Sequence, residues 1–293
     1  MQTNTQGGRT KTAIVSLDVE PDYPPYLGDS HMGVQIALPG ILDLLKTEQV
    51  PANVFILAQL CSAYPSLPKE IADRGFNLGC HAMQHGLLCL SDFETQLREI
   101  SESTRNLQEA SGRKMTVFRA PNFSVNGDTL RCLEKTGYSI DSSVLPGRTM
   151  KHGRGYAYDF RGAPTSPYHA SLEEVTKHGG SKVLEMPATE NPLNREAPIG
   201  GGYLNTKGVD KAVEAVLLAD ASPVVLVFHP WEFVDLFARF PTLPRWTKKG
   251  CRDNLPALSE FLGILKAEGY EFSTLDEVGQ TFQAIPKNSE RAR

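Results

Sequence analysis

The sequence predicts an α/β fold in which a parallel sheet carries helices on its outside, either doubly wound or closed into a barrel. Three observations support this. Short β-branched apolar runs alternate with helical patterns along most of the 293 residues, glycines stand at helix exits, and no repeat or low-complexity segment breaks the alternation. Thr12–Leu17 reads as a strand ended at Pro21, and Val34–Glu48 places Ile36, Leu38, Ile41, Leu44 and Leu45 at helical spacing. Ala52–Leu57 is a strand, Lys69–Arg74 a short helix closed by Gly75, and Phe76–Cys80 the next strand. A long amphipathic helix follows from Asp92 to about Ala110, then a strand at Thr116–Phe118 and a helix at Asn126–Thr136 with Gly137 at its exit. Val183–Met186 and Val224–Phe228 are further strands, Leu255–Glu268 is a helix followed by Gly269, and a last strand lies near Glu271–Thr274. In such sheets active sites gather at the carboxyl ends of the strands. The stretch 145–182, rich in Gly, Pro, Tyr and His, reads as a long insertion over one end, and loops of that length are often functional.

One domain is expected over residues 11–285, with loose ends at 1–10 and 286–293. Apolar residues are 40 % and charged residues 22 %, ordinary globular values that exclude wholesale disorder. Thirty basic residues against 34 acidic ones give a net charge of −4, which argues against a nucleic-acid partner. No apolar run approaches the roughly 18–20 residues that cross a bilayer. The polar start, Met1 to Arg9, predicts no secretory signal and therefore a cytoplasmic location. Cys61, Cys80, Cys89, Cys132 and Cys251 are odd in number and contain no CxxC, so they read as small hydrophobes in a reducing environment.

Five segments carry residues suited to chemistry. In Ser16-Leu17-Asp18-Val19-Glu20-Pro21-Asp22, strand alternation projects Asp18 and Glu20 from one face. Two such carboxylates repel unless a cation or proton lies between them, although a polar turn after a strand accounts for the same residues. His81 and His85 are four residues apart, the spacing of one helical face, and their nitrogens suit zinc-like metals. Arg119, in Phe118-Arg119-Ala120-Pro121-Asn122-Phe123, either pairs with a buried carboxylate or reaches solvent beside a turn. Asp141, before Ser142 and Ser143, either caps a helix or orients a histidine. His229 follows the apolar run Leu226-Val227-Phe228 and is either a structural core histidine or a general acid. The glycines of Ile199-Gly200-Gly201-Gly202-Tyr203 lack the context of a phosphate loop and point to close approach by a neighbouring element or a sugar. No GxSxG is present for nucleophilic catalysis.

Taken in order, these segments resemble the polysaccharide deacetylase family, the NodB-homology carbohydrate esterases, from about Thr12 to Leu275. The motifs are Asp18-Val19-Glu20, His81 with His85, Arg119-Ala120-Pro121, Gly200-Gly201-Gly202-Tyr203 and His229-Pro230-Trp231-Glu232. The resemblance implies a distorted (β/α) barrel of fewer than eight strands and metal-dependent removal of an N- or O-acetyl group from a sugar or glycan. It implies Asp18 as general base, Glu20, His81 and His85 as ligands of a divalent metal (commonly zinc), and Arg119 as the residue holding Asp18. It further implies His229 as general acid with Asp141 as its orienter, and substrate contacts at Pro121, Asn122, Phe123, Tyr203 and Trp231. Two departures stand out: the family's adjacent aspartates are replaced by Asp18 and Glu20, leaving Asp22 as a second candidate ligand. Asn122 and Phe123 occupy the positions of its usual tyrosine and glycine.

On this reading Asp18 takes a proton from the attacking water and His229 gives one to the departing nitrogen. The rivals are a metal-free amide or imide hydrolase of the same fold, a non-catalytic sugar-binding relative, and a sugar isomerase barrel. The last needs more acidic ligands on later strands than the sequence offers. Tyr156, Tyr158, Phe160, Arg161 and Tyr168 of the insertion either form a sugar platform or pack the loop down. Homo-oligomerisation is left open.

Overall fold

Strand β1 (Lys11–Val19) is an almost wholly buried apolar run, as expected of a strand covered on both faces of a parallel sheet. The computed structural model describes residues 11–284 apart from residues 25 and 196; the ends expected to be loose lie outside the described residues. The other strands are β2 (Ala52–Ile56), β3 (Asn77–Cys80), β4 (Val117–Phe118), β5 (Ile140–Asp141), β6 (Thr149–His152), β7 (Gly155–Asp159), β8 (Tyr168–His169), β9 (Leu184–Glu185), β10 (Val224–Phe228) and β11 (Tyr270–Ser273). Among the described residues the main sheet runs β10-β1-β2-β3-β4-β5-β9-β8, with β11 beside the start of β1. From β10 to β9 every pairing is parallel, which gives a wall of seven parallel strands; β8 joins β9 antiparallel.

The wall does not close strand to strand. After β9 the chain returns to β10 through single contacts: Thr189 N donates to the Val225 carbonyl (3.1 Å), Val225 N to Thr189 Oγ1 (2.7 Å), and Val227 N to the Ile199 carbonyl (3.1 Å). The result is the distorted barrel that the family resemblance implied.

Side-chain alternation divides this wall into an inner and an outer face. Ile14, Phe55, Val117, Ile140, Leu184, Met186 and Val225 form one apolar cluster with Leu275. Residues two further along the same strands therefore also face inward, nearer the carboxyl ends: Ser16 and then Asp18, Arg119, Ser142 and Val227. The other end is plugged by the helix Leu275–Ala284. Its Asp276 carboxylate accepts from Asn53 (2.9 Å), Asn77 (2.9 Å) and Thr116 (3.2 Å), tying strand β2 and the starts of β3 and β4 together.

The helices follow their sequence signals. Asp92 caps Phe93–Ser111 by accepting from Thr95 N, and Gly112 ends it in the left-handed region. Asn126 and Thr129 form a reciprocal cap on Gly127–Thr136. The predicted helix from Val34 is a π-turn at Gly33–Ala37 that continues into Leu38–Thr47. The hairpin β6–β7 and the helices Gly201–Lys207, Val209–Leu218 and Leu275–Ala284 had no counterpart among the expected elements. No helix of the described residues is long and apolar enough to cross a membrane.

Candidate active site

The carboxyl ends of β1, β3, β4 and β10 converge on a cavity of about 260 Å³ whose walls include Asp18, Glu20, His81, His85, Asn122, Phe123, Arg148, His229 and Trp231. The inward alternation of β1 delivers Asp18, and the residue after the strand, Glu20, follows on the same side. Both are buried.

Arg119 fixes one side of Asp18. Its Nη1 donates to Asp18 Oδ1 (2.8 Å) and to Ser16 Oγ (2.8 Å), while Nε and Nη2 donate to the carbonyl and hydroxyl of Ser142 (both 2.9 Å). The guanidinium also lies 4.4 Å from the Phe55 ring centroid. Gly79 is required there, because a Cβ on it would come within 2.4 Å of that ring. A wholly buried arginine is tolerated because each side of its planar fork meets an acceptor. Asp18 Oδ2 remains free to face the cavity, 3.8 Å from His229 Nε2.

Glu20 Oε1 accepts from Trp231 Nε1 (3.0 Å). Its Oε2 lies 2.9 Å from His85 Nε2 and 3.3 Å from His81 Nε2, yet it has no hydrogen bond of acceptable direction. Ligand atoms of Glu20, His81 and His85 lie within 4.8 Å of one another. Three donor atoms close together but not aimed at each other suit a cation between them. The His81 ring is already oriented for this, since its Nδ1 bonds the Arg119 carbonyl (2.8 Å) and leaves Nε2 toward Glu20. A carboxylate with two imidazoles is a donor set for zinc and similar divalent ions. Burial pushes the Glu20 pKa up, but the charge on His85 and contacts with both rings outweigh it and hold the carboxyl well below its usual range. Burial acts the opposite way on His85, and the Glu20 charge raises it above the ordinary imidazole value.

The two histidines do not share the expected helical turn. His81 N donates to the Ile56 carbonyl (3.0 Å), and the Ala82 and Met83 carbonyls accept from Ala58 and Gln59 (2.9 and 3.1 Å), so the chain extends the β2–β3 pairing instead of coiling. Ala82 then turns the backbone at φ 61°, and the imidazoles meet from an irregular loop. Tyr23 (φ 44°), Asn122 (54°) and Phe123 (59°) also take left-handed backbone, and all three line the cavity. Strain of roughly 1–3 kcal/mol per residue concentrated in this way is characteristic of functional sites.

Asp22, the second candidate ligand, is committed elsewhere. Its carboxylate accepts from Ser30 Oγ (2.6 Å), Met32 N (2.6 Å) and Gly33 N (2.8 Å), pinning the loop that follows β1.

Asp141 as orienter of a histidine also needs correction. Ile140 points into the barrel, so Asp141 points out, and among the described residues no hydrogen bond or ion pair joins it to a histidine. It accepts from Ser143 Oγ, whose oxygen in turn accepts from Ala120 N (2.8 Å). His229 Nδ1 instead lies 3.3 Å from Glu232 Oε2. Glu232 accepts from His229 N (2.8 Å) and Gly202 N (2.7 Å), and a Cβ on Gly201 would lie 2.6 Å from its Oε2. At Gly200 a Cβ would collide with the Val227 carbonyl at 1.8 Å. The glycine run thus serves close approach by a neighbouring element, as expected, and seats Glu232. Burial pushes the His229 pKa down, but Glu232, with Glu20 and Asp18, raises it to about 9.

Of the expected substrate contacts, Asn122, Phe123 and Trp231 line the cavity. Pro121 and Tyr203 are buried and do not. In the insertion, Tyr158 and Phe160 stack at 4.4 Å and Tyr158 donates to the Asn122 carbonyl (2.7 Å), while Tyr168 donates to the Val175 carbonyl (2.6 Å). These three pack the loop down. The five cysteines are free, three of them buried.

Glu185 is a functional-looking residue without a sequence signal beyond its place in a strand. It pairs in register with Asp141, both are buried, and each keeps one oxygen without a hydrogen-bond partner. Burial raises Asp141 to about 6 and Glu185 well above its usual range, so one proton is held between them near neutrality. Acids with raised folded-state values hold protons that the unfolded chain has released. The pair's contribution to stability therefore falls as pH rises from about 4 and levels off only above the folded values. Glu185→Gln is expected to flatten that fall between pH 5 and pH 8 in urea unfolding; an unchanged slope excludes the shared proton.

Comparison with known proteins agrees with this geometry. The sequence model of the polysaccharide deacetylase family matches residues 28–140. The peptidoglycan-N-acetylglucosamine deacetylase PgdA of Listeria monocytogenes is 28 % identical over 88 residues, 30 % of this chain and 19 % of that protein. The curated relatives are matched over about a third of their length or less in the first cases, 36 % and 19 %. A Mycobacterium smegmatis protein provisionally named a polysaccharide deacetylase superimposes with a TM-score of 0.67 at 18 % identity, covering 96 % of this chain and 93 % of that one. A carbohydrate esterase family 4 pseudoenzyme from Bacillus anthracis gives a TM-score of 0.56 at 13 % identity over 92 % of this chain and 66 % of its own. By the family match over residues 28–140 and by its fold, the chain is similar to the polysaccharide deacetylases and has the NodB-type architecture.

Proposed function

We propose that this protein is a metal-dependent hydrolase that removes an acetyl group from an amino sugar or glycan. The observation that carries the proposal is the convergence of Glu20, His81 and His85 beside a free Asp18 Oδ2 and the His229 imidazole. When bound by Glu20, His81 and His85, a divalent cation supplies a polarised acetyl carbonyl and a water of lowered pKa.

The remaining work falls to the chain. Arg119 holds Asp18 Oδ1, so Oδ2 is the oxygen that accepts the proton of the attacking water. His229 Nε2, 3.8 Å from both Asp18 Oδ2 and Glu20 Oε1, reaches the same space and donates to the departing nitrogen. Glu232 faces the other ring nitrogen and keeps the proton-bearing form favoured. Trp231 stacks on His229 with centroids 4.8 Å apart and holds Glu20 Oε1 through its indole N–H. Tyr23, in contact with Tyr26, Trp231 and Trp246, extends an aromatic edge outward from the cavity, the kind of surface on which a sugar ring stacks.

The fold alone does not establish turnover, because it also houses a pseudoenzyme. Intact candidates for base, acid and ligands favour catalysis over the sugar-binding reading. The test is acetate release from a panel of N- and O-acetylated sugars before and after chelation and readdition of zinc. Release that disappears with chelator and returns with metal is the expected result. Release unaffected by chelator supports the metal-free hydrolase, and none from any substrate leaves the binding reading.

A further inference from the structure

We infer that the site selects an acetylated sugar that also carries an acidic group, a carboxylate or a phosphate, and that Arg148 is the residue that reads it; this rests on the deacetylase reading above. Arg148 lines the same cavity as Asp18 and Glu20. Those two carboxylates are already matched: Asp18 by Arg119, and Glu20 by His81 and His85. Among the described residues no carboxylate forms an ion pair with Arg148; the side-chain group set against its guanidinium is the neutral Tyr158 hydroxyl, which leaves the positive charge unmatched. The group rests 5.4 Å from the centroid of the Phe123 ring, which orients the planar fork without neutralising its charge.

The backbone of Arg148 is fixed. Its N–H donates to the Leu145 carbonyl (3.1 Å), its carbonyl accepts from Phe160 N (2.9 Å), and neighbouring Gly147 N donates to the Phe160 carbonyl (3.0 Å). Tyr158, stacked on Phe160 and bonded to the Asn122 carbonyl, locks this segment to the cavity loop. A half-buried cation with no carboxylate partner, held in place in a chain of net charge −4, presents a site for a planar or tetrahedral oxyanion. Water cannot compensate an arginine here as fully as a bound carboxylate or phosphate does, so a neutral sugar forgoes a charge-assisted contact that an acidic one makes.

The test compares kcat/KM for acetate release from a neutral chitooligosaccharide, an N-acetylmuramic-acid oligosaccharide and N-acetylglucosamine 1-phosphate. The wild-type protein should favour one acidic substrate by about tenfold or more, and that preference ratio should collapse by about 10–100-fold in Arg148→Gln while Arg148→Lys keeps part of it. Which acidic sugar is favoured identifies carboxylate or phosphate as the group read. An unchanged ratio in Arg148→Gln, or preference for the neutral sugar by the wild type, overturns the inference. Calorimetric titration with N-acetylmuramic acid and with inorganic phosphate reads the same site without turnover. Binding lost in Arg148→Gln with no acetate released from any sugar upholds the acidic-group site and rejects the deacetylase. Acetate release with no charge preference does the reverse.

Discussion

Asp18→Asn is expected to lower kcat by about 10²–10⁴-fold while the protein stays folded and keeps its metal. Asparagine preserves an oxygen at the position that accepts from Arg119 Nη1, so the buried guanidinium retains acceptors in Ser16, Ser142 and residue 18. Alanine at that position instead leaves part of a buried cation unmatched, and such losses destabilise by roughly 3–5 kcal/mol. The substitution thus isolates the proton acceptor from the scaffold. His229→Ala should give a loss of similar size, because Glu232 keeps both of its backbone donors, His229 N and Gly202 N, when the ring is removed. In both variants the fall should appear in kcat with KM little changed, as befits a group acting in the transition state. Steady-state kinetics with circular dichroism and metal analysis check this. Turnover close to wild type in either variant refutes the role given to that side chain.

Replacing His85 by alanine should cost more still, by removing the metal itself. Loss of an outer partner of a metal ligand weakens affinity about 10–100-fold, and loss of one of three protein ligands should exceed that. Wild-type protein is expected to take up about one zinc per chain, and His81→Ala, His85→Ala and Glu20→Gln substoichiometric amounts after dialysis, by mass-spectrometric metal analysis. Asp22→Asn should retain wild-type metal content, because Asp22 is held by Ser30, Met32 and Gly33 rather than by the site. Equal zinc in wild type and His85→Ala contradicts the ligand assignment. Full activity in zinc-free protein instead favours the metal-free hydrolase.

Much of this was legible in the amino-acid order. The apolar runs around Ile14, Val54 and Val225 announced central parallel strands because burial on both faces leaves no polar alternation to confuse them. The helices expected from Asp92 and over Asn126–Thr136 formed, the second ending at Gly137 in the left-handed region as read. The alternation of β1 placed Asp18 and Glu20 on one side correctly. The HxxxH spacing brought its two imidazoles together for a different reason from the one it suggested, since pairing between His81 and Ile56 outweighed the helical preference. The short strand β8 and the hairpin β6–β7 were less readable. Two to five residues carry too little periodicity to stand out from an insertion rich in glycine and tyrosine.

The sequence by itself determined which chemical groups the chain brings to the ends of its strands, because a period of two fixes the face of each residue once a strand exists. It could not determine what lies across from those groups. Only the register of β5 against β9 decided that Asp141 meets Glu185 on the outer face of the sheet. The short turn Pro230–Phe233 set Glu232 beside the His229 ring, and the packed insertion brought Arg148 to the cavity wall. Pairing across a barrel depends on the curvature and register of elements a hundred residues apart, and no local pattern encodes either.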